Sequence, residues 1–377
     1  MHETSLVLPL GNGTTTAGRQ SPGDLNSDTA VCFYGDGEPK TPGSMLRYLA
    51  EFHNTIGLET DNFSLGGTVQ HLEERCAAML GKEAAIFMPT GTLANHLAIR
   101  TLCGNKPRAV VQEQSHLYND SGDCVPRLSG INLVPLAPDR PHFTLAELQA
   151  AVARVHTGRA LTPIGAVMIE SPVRRQAGQI MPFEEMQAIT DYCQQQQIPT
   201  HLDGARLYMM SAATGITPAA YAALFDTVYV SLYKYFGAPF GAILAGPARY
   251  IDGLYHDRRM FGGGLPAAHL AAALALRGIE GFEARFAAAM ARAKTLFVRL
   301  NALAGMQVRQ FPYGSNIFPL ELAAHIDHDR FLYTLRQHEI VMAPDAQATQ
   351  PLLLTVNTTL LRQEIEDVVA AFAAALT

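Results

Sequence analysis

Lysine is scarce in this chain: only Lys40, Lys82, Lys106, Lys234 and Lys294 occur among 377 residues. Charge is thin altogether, at 16% of residues, with a net −6 at pH 7 and a pI near 6.1. Neutralising nucleic-acid phosphates needs a basic surface, and no Lys/Arg cluster with interleaved aromatics is present, so the balance argues against a nucleic-acid partner. Cysteine is sparse too. Cys32, Cys76, Cys103, Cys124 and Cys193 are odd in number, widely spaced and never form Cys-x-x-Cys. That spacing speaks for reduced thiols rather than a disulfide framework or a zinc site. The longest apolar runs, near 237–246 and 265–276, fall short of the ~20 residues that cross a bilayer, so no membrane association is expected. The opening 1–23 is rich in Gly, Thr and Ser and reads as an arm, a tag or the remnant of an export signal. A cytoplasmic location is expected.

What is abundant is apolar side chain, at 48% of a 40.8 kDa chain, enough for two domains around a shared site. From Leu46 onward, short β-like runs alternate with helical periodicity, the pattern of a parallel α/β sheet. Strands are expected at 84–88, 109–112, 132–135, 165–170, 199–203, 227–232 and 242–245, with helices at 68–80, 91–102, 144–155 and 183–196. After Gly281 the texture changes. A long Ala-rich amphipathic stretch, 282–303, leads to short strands at 307–310, 316–321 and 352–356 and helices at 329–338 and 362–376. The expected division is an N-terminal arm (1–45), a large α/β domain (46–280) and a smaller α+β domain (281–377).

Four of the five lysines sit in turns, at a helix exit or on a polar helix face. Lys234 instead closes the apolar run 228–233 and precedes Gly237-Ala238-Pro239-Phe240-Gly241. Partial desolvation there lowers an amine's pKa and favours imine chemistry with an aldehyde. By position alone, a lysine snorkelling from a strand end would look the same. Asp203 closes the preceding apolar run, 198–202. One helical connection between the two, with a right-handed crossover, would bring both to the carboxyl edge of the sheet, where α/β folds bind ligands. A buried carboxylate needs a cationic partner. A protonated pyridinium is one, and Arg206, three residues on, is the alternative. Met88-Pro89-Thr90-Gly91-Thr92 reads as strand, tight turn and helix start, a phosphate cradle of free N–H groups with two hydroxyls added. Lys234, Asp203 and this turn together supply three anchors for pyridoxal phosphate. His116, after the 109–112 strand, either covers the ring or merely caps a helix. His325 and His328 lack the carboxylates of a metal site.

These segments resemble the threonine aldolase and β-eliminating lyase family of pyridoxal enzymes, over about 26–377. The likeness is densest in 80–92, in His201-Leu202-Asp203-Gly204-Ala205-Arg206 and in 231–241. It implies an α/β fold of the fold-type-I, PLP-dependent transferase-like kind. It also implies a homodimer or homotetramer with active sites at subunit interfaces, and pyridoxal 5'-phosphate as cofactor. On that resemblance Lys234 is the imine lysine, Asp203 the pyridine-nitrogen partner and His116 the ring cover. Thr90, Gly91 and Thr92 hold the phosphate, Arg206 lies near cofactor or substrate carboxylate, and Ser27 touches the substrate carboxylate. The chain departs from the family in three places. No His follows Glu170, where the family addresses a substrate hydroxyl. The usual C-terminal carboxylate-binding Arg is replaced by Leu353, and an Arg expected after Gly262-Gly263-Gly264 is replaced by Pro266, though Arg258 and Arg259 precede it. Arg174 or Arg175 is therefore expected to take over the carboxylate, since a guanidinium offers a bidentate fork. The implied activity is cleavage of a β-hydroxy-α-amino acid, a small-molecule amino-acid substrate, to glycine and an aldehyde. The alternatives are β-elimination or other α-carbon chemistry, and a non-catalytic binding or regulatory protein.

Overall fold

The computed structural model describes residues 28–343 and 352–377, so Ser27 lies outside the described residues. Its strands are β1 (Val31–Cys32), β2 (Ala84–Met88), β3 (Arg108–Gln112), β4 (Asn132–Leu136), β5 (Ile164–Glu170), β6 (Thr200–Asp203), β7 (Thr227–Ser231), β8 (Ala242–Gly246), β9 (Met306–Val308), β10 (Ile317–Leu322), β11 (Ile340–Val341) and β12 (Leu352–Thr355). Seven of them form one sheet in the order β2-β8-β7-β6-β5-β3-β4. β8 runs antiparallel to both its neighbours, and the other pairings are parallel. β5, β6, β7 and β8 are buried along their whole length, as a sheet covered on both faces requires. That burial explains their unbroken apolar sequences.

The register positions the chemistry. Glu170 pairs with Asp203 across β5 and β6, and Asp203 pairs with Tyr229 across β6 and β7. Three consecutive parallel strands therefore end at one edge, and Lys234 follows three residues beyond β7. The link from β6 to β7 holds two helices, Leu207–Thr214 and Pro218–Ala223, rather than the single one expected. Gly215 separates them at φ 77, a left-handed conformation that suits a residue without Cβ.

Beyond Gly281, which enters the Phe282–Leu300 helix at φ 63, β12, β10 and β9 form a small antiparallel sheet. Part of the expected arm lies within the described residues. β1 pairs in parallel with β11, and the Pro42–Thr55 helix begins before Leu46. Thr41 and Ser44 close a capping box at its start, and Pro42 occupies the first turn, where a missing N–H costs nothing.

Candidate active site

A cavity of about 340 Å³ lies at the carboxyl edge of the sheet, lined by Thr90, Gly91, Thr92, Asn95, His116, Glu170, Arg174, Asp203, Arg206, Tyr229, Tyr233 and Lys234, among others. Every site residue expected from the sequence reaches it except Ser27, outside the described residues, and Arg175.

The Lys234 amine is lowered to about 8, first by burial and next by the Arg206 guanidinium, against the opposing pull of Asp203, Asp36 and Glu170. The backbone beneath it is tightly packed. A Cβ on Gly37 would stand 2.6 Å from the Lys234 carbonyl oxygen, so only glycine fits there. Two other lysines are committed to carbonyls: Lys40 to Tyr233 and Ala238, and Lys82 to Phe225 at 2.6 Å.

Asp203 is buried, and its carboxylate accepts from the Asn95 amide at 2.6 Å and from the Ala205 N–H at 3.1 Å. The alternative ion pair to Arg206 is not made. Arg206 Nε instead meets the buried Asp36 carboxylate at 2.8 Å. Among the described residues Asp203 thus has neutral donors but no ion-pair partner, an incomplete solvation for a buried anion. A protonated ring nitrogen would complete it.

Thr90 caps the Gly91–Cys103 helix, its hydroxyl accepting from Leu93 N–H at 3.1 Å. The helix's positive end therefore faces the cavity. A Cβ on Gly91 would fall 2.0 Å from the Tyr229 hydroxyl, so glycine is obligatory at this turn for steric reasons. His116 does open a short helix, with Ser115 as its cap, yet its ring also lines the cavity. Burial lowers its pKa, more than Asp203 raises it.

Glu170 ties two loops together. Its buried carboxylate accepts from the backbone N–H of His116 and, at 3.0 Å, from that of Arg174. Burial and the adjacent Asp203 push its pKa up. Arg174 and Arg175 both reach Asp120, at 3.4 and 3.2 Å, but only Arg174 lines the cavity. Arg258, one of the two arginines before Pro266, is fully buried and donates to the Phe87 and Ser64 carbonyls at 2.6 and 3.0 Å. It holds backbone, not substrate. Arg259 stacks on Phe63, 4.4 Å from the ring centre.

Sequence reasoning missed Asp36, Asn95, Glu170, Tyr229 and Tyr233 as lining or supporting residues. The Gly35-Asp36-Gly37 triplet was the readable signal for the first. Asn95 sits inside a helix and Tyr229 inside a strand, where composition marks neither.

A nucleophilic lysine, a buried carboxylate lacking a cation and a helix N-terminus in one cavity suit the aldehyde, ring nitrogen and phosphate of pyridoxal phosphate. The fold, too, is that of fold-type-I pyridoxal-phosphate enzymes. The chain belongs to the β-eliminating lyase family, which it matches over residues 53–320. It is 30% identical to a low-specificity L-threonine aldolase of Candida albicans over 56% of this chain and 57% of that protein. It is equally 30% identical to the alanine racemase TOXG of Cochliobolus carbonum, over 60% of this chain and 57% of that one. A solved structure from Listeria monocytogenes, for which L-allo-threonine aldolase activity is proposed, superposes with a TM-score of 0.76 at 26% identity, covering 94% of this chain and 99% of its own. The chain spans less than two thirds of the length of these two curated relatives. Among the described residues no helix is long and apolar enough to cross a membrane, and no cluster of His, Cys, Asp or Glu could hold a metal.

Proposed function

We propose that the chain is a pyridoxal-phosphate lyase of the threonine aldolase type, cleaving a β-hydroxy-α-amino acid to glycine and an aldehyde. The observation that carries this reading is the convergence of Lys234, Asp203, His116 and the Thr90–Thr92 turn on one cavity. When bound, pyridoxal phosphate supplies the electron sink for the pair released at the α-carbon. Lys234 holds the aldehyde through an amine that burial leaves partly uncharged near pH 8. Asp203 keeps the ring nitrogen protonated, and the N–H groups at Gly91 and Thr92 hold the phosphate.

His116 covers the ring and accepts the substrate's hydroxyl proton. Its tautomer supports that role. The Ser121 hydroxyl donates to the His116 carbonyl at 3.1 Å, so its oxygen, 3.2 Å from Nδ1, is left to accept. Nδ1 then carries the proton and Nε2 is free as a base. Arg174 takes the substrate carboxylate, in place of the C-terminal Arg that Leu353 replaces. Arg206, anchored by Asp36, adds positive potential beside it. The large α/β unit to residue 280 supplies these groups, and the smaller unit from 281 packs beside it. A homodimer or homotetramer is part of the proposal, checked by light scattering. A second cavity of about 1160 Å³ shares Tyr233 and Lys234 with the first and is where a partner subunit would reach the site.

β-Elimination is the second reading, favoured by the absence of a His after Glu170. The test is a panel of amino acids given to the cofactor-loaded protein, scored for aldehyde, glycine, pyruvate and ammonia. Glycine with aldehyde supports cleavage, and pyruvate with ammonia moves the chain to elimination. No turnover despite bound cofactor would make it a binding protein.

A further inference from the structure

Asp203 is held by Asn95, which itself lines the cavity, and behind Asn95 by His201 and Thr227, which do not. Thr227 Oγ1 lies 2.8 Å from His201 Nδ1, His201 Nε2 lies 2.9 Å from Asn95 Oδ1, and Asn95 Nδ2 lies 2.6 Å from Asp203 Oδ2. His201, Asn95 and Asp203 are all buried, on β6 and on the helix that begins at the phosphate turn. We propose that Asn95 and His201 are positioning residues that lock Asp203 as an anion aimed at the cofactor's ring nitrogen. This rests on the pyridoxal-phosphate reading of the cavity.

The relay has two self-consistent states. In one, the Thr227 hydroxyl donates to Nδ1, the Nε2 proton goes to the Asn95 carbonyl, and the Asn95 amide donates to an ionised Asp203. In the other, Nδ1 carries the proton, the Asn95 amide is reversed, and its carbonyl faces Asp203. The second requires a neutral Asp203, because a carboxylate has no proton to give a carbonyl at that distance. A charged imidazolium would blur the choice, but burial pushes His201 down to about 4 against the opposing pull of Asp203 and the Thr227 backbone, so it is neutral at pH 7. The Thr227 backbone, as an acceptor for the ring, is the one contact that favours the second state. The Ala205 N–H on the other carboxylate oxygen, 3.1 Å away, favours the ionised state as well. Glu170 on the adjacent strand is the opposing influence. A second buried carboxylate in register with Asp203 drives one of the two toward its neutral form. Two backbone N–H donors oppose that push at Glu170, and the proposed relay is what would keep the charge on Asp203. Glu170, bound by two backbone N–H groups, serves the loops instead.

The test has two arms. In the first, long-range proton–nitrogen NMR of histidine-labelled protein without cofactor, assigned with His201→Gln, should show His201 protonated on Nε2 alone and not titrating between pH 5.5 and about 8. Protonation on Nδ1 would overturn the proposal even if every variant failed to fold. The second arm measures Kd for pyridoxal phosphate and for its carbocyclic analogue, which has C–H in place of the ring nitrogen. Asn95→Leu and His201→Leu should weaken pyridoxal phosphate by roughly tenfold or more, the size expected when a hydrogen bond to a charged group is lost. The analogue should bind His201→Leu as it binds the wild type. Asn95→Leu, whose side chain lines the cavity, should show the same loss of preference as a changed ratio of the two Kd values. His201→Gln, which keeps a donor toward Asn95, should restore most of the preference. Equal weakening of both ligands, or of neither, would sink the relay. Wild-type protein that does not distinguish the two ligands would instead sink the pairing of Asp203 with the ring nitrogen, whatever the NMR shows.

Discussion

At the scale of single residues, two groups set the chemistry by the company they keep. Lys234 is lowered to about 8 from an ordinary 10.5 because burial and Arg206 outweigh the nearby carboxylates. A neutral amine is the reactive form, and its fraction rises with pH. Uptake of pyridoxal phosphate by the cofactor-free protein should therefore accelerate as pH climbs through 8 and level off above it, as read by stopped-flow absorbance. A rate still climbing steeply near the ordinary lysine value would show that the amine is not desolvated. On the proposed reading, Asp203 acts by its charge. Asp203→Asn keeps the shape and should leave the cofactor attached, while turnover falls by roughly 3 kcal/mol or more in activation free energy, the scale of a lost preorganised charge. Near-normal kcat in that variant would make Asp203 a structural residue.

At the scale of elements, the site is built where three parallel strands end, and most of that was legible. β2 to β8 all lie within a residue of their expected limits. β5 to β8, buried along their whole length, read as continuous apolar runs. The Pro42–Thr55 helix was missed. Met45, Leu49, Phe52 and Ile56 do fall at helical spacing, but Pro42-Gly43 imitates a turn, and of the helix's own residues only Phe52 is buried. Contacts between distant segments were equally hidden: the pairing of Arg206 with Asp36, and of His201 with Asn95, spans more than a hundred residues of chain. The loop after Glu170 is an intermediate case. Its two arginines were visible, but which one faces the cavity depends on the backbone that Glu170 grips. Arg174→Ala should raise KM by the equivalent of roughly 2–5 kcal/mol, the usual loss when one partner of a buried charged pair is removed. Its partial exposure, 56% of the side chain, points to the lower end. Arg175→Ala should leave KM unchanged, and steady-state kinetics on the best substrate of the panel decides between them.

At the scale of the whole molecule, both described ends of the chain brace the cavity. Asn357 donates to the Cys32, Tyr34 and Gly35 carbonyls at 2.9, 3.2 and 3.1 Å, and Thr355 N–H donates to Phe33 at 3.0 Å. The segment they secure leads into Asp36, the partner of Arg206, and Gly37, packed on the Lys234 backbone. Stability and site geometry are thus coupled through one buried side chain. Asn357→Ala strands buried carbonyls and should cost about 1–3 kcal/mol in denaturant unfolding, with weaker cofactor retention alongside. Full stability would show that the chain ends are independent of the site.

The central claim is that one lysine of five carries the cofactor. Reducing the pyridoxal-phosphate-loaded protein with borohydride and mapping the adduct by peptide mass spectrometry tests it most directly. The account predicts a single pyridoxyl adduct on Lys234 that is absent from Lys234→Ala. An adduct on Lys40, Lys82, Lys106 or Lys294, or none on a protein that binds the cofactor, would contradict it.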